Sequence, residues 1–75
     1  MKISKAQSIL RIYTVLLKEQ AVDKDKLAQD LSLSDITWNR YLTEIRSYLE
    51  NFDDSHELVY RRRDNRYVLK EKNGR

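Results

Sequence analysis

The chain has no cysteine and no proline, and its only glycine is Gly74. Without cysteine, no disulfide or thiolate metal site can supplement the core, and the absence fits a reducing compartment. His56 is the only histidine, so no set of metal ligands is expected. Without proline or an interior glycine, turns are weakly punctuated, and boundaries must be read from periodicity. No apolar run is long enough to span a bilayer. The opening MKISKAQSILRIY has charges inside its apolar stretch and makes a poor secretory signal. No nucleophile–base pair, metal set or phosphate-binding loop is visible, so neither catalysis nor a cofactor is expected. The expected location is cytoplasmic, with no membrane partner.

What is present is one small domain of 75 residues. A chain of this length buries only about 60% of its unfolded surface, so its stability margin is thin. Net charge is +3, unevenly spread. Residues 61–75 hold seven Lys/Arg against Asp64 and Glu71, whereas residues 1–60 hold eight against ten Asp/Glu. An acidic body with a basic end suggests a polyanionic partner met by that end.

The stretch Ser34–Phe52, SDITWNRYLTEIRSYLENF, reads as one long helix over 35–52. Trp38, Tyr41, Leu42, Ile45, Tyr48, Leu49 and Phe52 recur at helical spacing. Ser34 is suited to N-cap it. Leu33 and Trp38 stand at hydrophobic-staple positions, which points Trp38 to the core rather than to base stacking. The opposite face begins with Asp35, Thr37, Asn39, Arg40 and Thr43, all able to hydrogen-bond. A helix anchored by its back, with a polar and partly basic front, meets the requirement for a major-groove reader.

Before it, Ser4 and Gln7 have capping-box spacing and open a helix over about 4–20. Its stripe is Ile9, Ile12, Tyr13, Leu16 and Leu17, widened by Leu10 and Val15. Ala21-Val22 connects to a short helix over about 24–31, capped by Asp23, with Leu27, Ala28 and Leu31 facing inward. A turn of about three residues then leads to the long helix, which is helix-turn-helix arithmetic, although the turn lacks the usual glycine.

After a polar connector through Asp53, Asp54 and His56, residues 57–71 (ELVYRRRDNRYVLKE) read as a β-hairpin. Asp64-Asn65 as a two-residue turn pairs Arg62 with Tyr67, Tyr60 with Leu69 and Leu58 with Glu71. Leu58, Tyr60, Tyr67 and Leu69 then share one face. Arg62, Arg63 and Arg66 sit at the tip, Arg61 on the other strand face, and residues 70–75 run out as a polar end. The five tyrosines fall on stripes and are expected to be core or half-core. The acidic residues around His56 are expected to form a solvated loop. The predicted fold is mostly α with a small β-hairpin: a three-helix winged helix-turn-helix filling residues 1–75.

Here the residues resemble a known family. Leu27-Ala28-Gln29-Asp30-Leu31-Ser32-Leu33-Ser34, followed by Asp35-Ile36-Thr37-Trp38-Asn39-Arg40-Tyr41-Leu42, is similar to the N-terminal winged helix-turn-helix of DeoR-type and WYL-domain bacterial transcription regulators. Their pattern is L-A-x-x-L-x-V-S followed by x-x-T-I-x-R-D-L. Ser34, Thr37, Arg40 and Leu42 stand at matching positions, while Trp38 replaces a branched aliphatic residue and Tyr41 an aspartate. The wing of that family usually comes sooner and often carries a glycine. The resemblance implies that Ser34, Thr37 and Arg40 touch phosphates and base edges of double-stranded DNA. It also implies a C-terminal effector or oligomerisation domain, so the chain is expected to be the N-terminal part of a longer regulator or a naturally small regulator of phage or plasmid type.

The expected DNA-binding residues are therefore Ser34, Thr37, Asn39, Arg40, Thr43, Arg62, Arg63 and Arg66. Arg40 suits a phosphate or guanine and Asn39 an adenine edge; the competing role for Arg40 is an i,i+4 pair with Glu44. The wing arginines suit the backbone or minor groove. A homodimer is expected, because one module reads few bases. The alternative is a winged-helix interaction or dimerisation module without DNA readout, docking through Tyr48, Leu49 and Phe52.

Overall fold

Two reciprocal hydrogen bonds start the chain's first helix. In the computed structural model, which describes residues 3–72, Gln7 N–H donates to Ser4 Oγ and Ser4 N–H donates to Gln7 Oε1, both at 3.1 Å. This capping box opens α1 (Lys5–Glu19). The helix ends at Gln20, which takes a left-handed conformation at φ 64° and donates its N–H to the Leu16 carbonyl. The buried line of α1 is Ser8, Ile12 and Leu16. Leu10 and Leu17, expected on the stripe, are exposed. The neighbouring elements cover less of the helix circumference than its apolar residues occupy.

Asp23 caps α2 (Lys24–Asp30), and Ser34 caps α3 (Asp35–Phe52). The turn between them solves the missing-glycine problem with Ser32 at φ 57°. Ser32 N–H donates to Gln29 O at 3.1 Å and Leu33 N–H to Ala28 O at 2.8 Å. That is the paired bonding of a Schellman termination, with serine at the left-handed position glycine normally takes.

The connector expected at Ala21-Val22 is a strand. β1 (Ala21–Asp23) pairs antiparallel with β3 (Arg66–Glu71), which also pairs with β2 (His56–Arg61), giving sheet order β1-β3-β2. Three residues are too short to carry a period-two signal; β1 is a strand because the open edge of β3 supplies its partners. Leu69 N–H extends the pairing to the Gln20 carbonyl at 2.9 Å.

The hairpin face is as expected, and its register is not. Leu58 pairs with Leu69 and Tyr60 with Tyr67. The two-residue turn is replaced by a longer connection: a 3-10 turn at Arg62–Asp64 closed by Asn65 at φ 56°. Only one residue needs positive φ, which asparagine tolerates. A slip of two residues leaves every side chain on its own face, so the alternation could not detect it. Residues 73–75, part of the expected polar end, lie outside the described residues.

The architecture is a winged helix-turn-helix: three helices and a small three-stranded antiparallel sheet. Trp38, Leu42, Ile45 and Leu49 of α3 are buried with Ile12, Leu16, Val22, Ala28, Leu58 and Leu69. Trp38 is 0% exposed and meets Tyr67 edge-on with ring centroids 5.8 Å apart. Leu33, Tyr13 and Tyr41 are half-buried against this core. Tyr48 and Tyr60, expected to be core or half-core, are exposed, as is Phe52 at the end of the apolar stripe. At the last turns of α3 the core covers Leu49 and leaves the neighbouring Tyr48 and Phe52 outside.

Candidate nucleic-acid interface

Helical geometry places Ile36, Arg40, Thr43 and Ser47 on the line of α3 opposite Trp38 and Ile45. All four are exposed, and so is Asn39 beside them. The first turn is tightly held. Thr37 N–H donates to Ser34 Oγ at 3.2 Å, and the Ser34 hydroxyl donates to Thr37 Oγ1 at 3.1 Å. Ser34 is thus committed to capping, with Thr37 half-buried behind it. The Thr43 hydroxyl turns back to the Asn39 carbonyl at 2.9 Å. Arg40 makes no ion pair among the described residues. The competing partner, Glu44, instead lies 3.9 Å from Lys5 Nζ.

The wing tip sits at the same end of the molecule as the start of α2. Asn65 Nδ2 donates to Asp25 Oδ2 at 3.1 Å, and Tyr60 donates its hydroxyl to Asn65 Oδ1 at 2.6 Å. One residue before Asp25, Lys24 Nζ lies 3.2 Å from Asp35 Oδ1 at the first position of α3. The first turn of α2 therefore bridges the wing tip and the start of α3. Neither Lys24 nor Asp25 stands out in the sequence. Nothing local marks them, because their partners lie across the fold.

Three carboxylates near this surface are engaged. Asp35 is held by Lys24, and Asp23 accepts the Lys26 N–H at 3.3 Å. Arg61 clamps Asp64 through two bonds of 2.9 and 2.8 Å. This clamp draws the Asp64 carboxyl below its ordinary range and raises the Arg61 guanidinium.

The expected wing arginines separate into two groups. Arg62 and Arg63 lie in the 3-10 turn, exposed and without an ion pair among the described residues. Arg66 is already in β3, half-buried, with its Nε 3.8 Å from Asp64. By strand alternation Arg61 and Arg66 occupy the sheet face away from Leu58 and Leu69.

At the far end of α3, the loop around His56 is more structured than expected. Asp53 Oδ1 accepts from the Ser55 hydroxyl at 2.7 Å, and His56 Nδ1 lies 2.9 Å from Asp53 Oδ2. The Ser55 bond, followed by the His56 bond, lowers the Asp53 pKa. Nearby, Tyr13, Tyr48 and Phe52 form a chain of rings with centroid spacings of 5.6 and 5.2 Å. Leu49, which the alternative reading placed on that docking surface, is buried.

No helix among the described residues is long and apolar enough to cross a membrane. No protein-family model, curated protein or solved structure matches the chain.

Proposed function

We propose that this winged helix-turn-helix binds double-stranded DNA as part of a transcription regulator. The N-terminal half of α3 lies in the major groove, and Arg62 and Arg63 rest on the flanking backbone or enter the minor groove. The observation that carries this reading is the distribution of free charge. Asp35 at the start of α3 and Asp64 at the wing tip each face a cation, while Arg40, Arg62 and Arg63 have no ion-pair partner among the described residues. Such a surface presents positive charge outward to phosphates. The resemblance of residues 27–42 to the DeoR-type pattern supports the same reading, and the reading involves no catalysis.

A second surface favours a partner as well. Phe52 is 75% exposed and Tyr48 47% exposed, at the end of α3 remote from Arg40. A second copy or an effector domain covering this end would leave the start of α3 free. This surface also carries the competing reading, an interaction module that does not touch DNA.

The test is a fluorescence-anisotropy titration of random-sequence duplex DNA at two salt concentrations. Wild type, Arg40→Ala and Arg62→Ala/Arg63→Ala are compared. Wild type is expected to bind with strong salt dependence, and each phosphate contact removed lowers the log–log slope by about 0.9. Absence of binding at low salt overturns the DNA reading and favours the interaction module.

A further inference from the structure

Ile36 is 69% exposed in the first turn of α3, an apolar, β-branched side chain within a polar line. It gains nothing there from packing, and β-branched residues lose side-chain freedom in helices. A single exposed apolar residue is ordinary on a protein surface. What singles out Ile36 is its place: it precedes Arg40 by one helical turn and Thr43 by two, on the line most distant from the core. Thr43 reinforces the pattern. Its hydroxyl donates to the Asn39 carbonyl at 2.9 Å, so it has no hydrogen left to donate outward and keeps its methyl and an oxygen that can still accept. The outer line therefore carries a methyl-bearing side chain about one turn to either side of Arg40.

The major-groove edge of DNA has one apolar feature, the C5-methyl of thymine. We infer that Ile36 is a specificity-determining residue that reads a thymine methyl beside the base or phosphate taken by Arg40. This inference rests on the DNA-binding reading and narrows it to thymine-containing sites. Thr43 offers the second, weaker methyl contact further along the helix. Arg40 supplies the charged contact, while the flanking methyls select thymine.

The test uses a duplex selected by the full chain from a random-sequence library. Each thymine in it is replaced in turn by deoxyuridine, which lacks only the C5-methyl. Binding is measured by anisotropy for wild type, Ile36→Ala and Arg40→Ala. At one thymine or two, loss of the methyl is expected to weaken wild-type binding about fourfold, the worth of one buried methyl-sized group. Ile36→Ala is expected to bind the thymine and deoxyuridine duplexes equally at one of those positions. Arg40→Ala is expected to bind both more weakly and keep their ratio. Ile36 is exposed, so its replacement should leave the circular dichroism spectrum unchanged. Wild-type binding that is indifferent to every replacement, or discrimination that survives in Ile36→Ala at every methyl-sensitive thymine, overturns the inference while leaving DNA binding intact. If wild type binds no duplex, both readings fall together.

Discussion

Asn65 and Asp25, 40 residues apart in sequence, are joined by a 3.1 Å hydrogen bond from the Asn65 amide to the Asp25 carboxylate. The same asparagine holds the wing's left-handed backbone position and accepts the Tyr60 hydroxyl. One residue thus sets both the shape of the tip and its docking on α2. Asn65→Gly keeps the backbone geometry and loses the side-chain bonds, whereas Asn65→Ala loses both. Urea denaturation should show Asn65→Ala destabilised by about 1–2 kcal/mol and Asn65→Gly by less. Asp25→Ala should leave global stability within about 0.5 kcal/mol and speed amide exchange at the tip.

The α2–α3 turn provides a complementary case. Ser32 occupies a left-handed conformation that a Cβ atom penalises, and its side chain makes no hydrogen bond among those resolved. Ser32→Gly should raise stability by about 0.5–1 kcal/mol, relief of strain outweighing the extra entropy of the unfolded chain. A lower urea midpoint in this variant would show that the turn is held by something other than the Schellman bonds.

Acid stability should follow Asp53 and Asp64. Both carboxyls titrate below their ordinary 3.8, Asp53 because Ser55 and His56 bond to it and Asp64 because Arg61 clamps it. A depressed carboxyl stabilises the fold fully above its unfolded pKa and loses that contribution as pH falls through the folded value. Thermal melts should therefore show wild type losing stability below about pH 4. Asp53→Asn/Asp64→Asn should melt lower at neutral pH and decline less steeply in acid.

Asp35 bears on the proposed DNA contact. Its carboxylate stands at the first position of α3, 3.2 Å from Lys24 Nζ. Removing Lys24 leaves an unneutralised negative charge facing phosphate. Lys24→Ala should weaken duplex binding in low-salt anisotropy by roughly two- to fivefold, and Asp35→Asn should tighten it by a similar factor. Both effects should shrink as salt rises.

Local patterns carried much of the architecture. Ser4, Asp23 and Ser34 each cap the helix their spacing assigns, because a cap is decided within four residues. Trp38 lies in the core where its staple position put it. The alternation of Leu58, Tyr60, Tyr67 and Leu69 assigns one strand face, but it is blind to even slips, and the hairpin register differed by two. Arg40 and the tip arginines stood out by position and charge. Lys24 did not, since its significance depends on what lies beside it in space.

The sequence by itself determined three helices, their caps and a wing, because each rests on spacings within a single turn or strand. The tertiary structure alone decided that Ala21–Asp23 becomes a strand, which requires the edge of β3 from 45 residues later. It decided that Tyr48 and Phe52 stay in water, because an apolar stripe is buried only where another element reaches it. It also decided which charges remain free at the start of α3. Lys24 with Asp35 and Asn65 with Asp25 pair groups whose proximity comes from the packing of α2 between the wing and α3, and no local spacing encodes it.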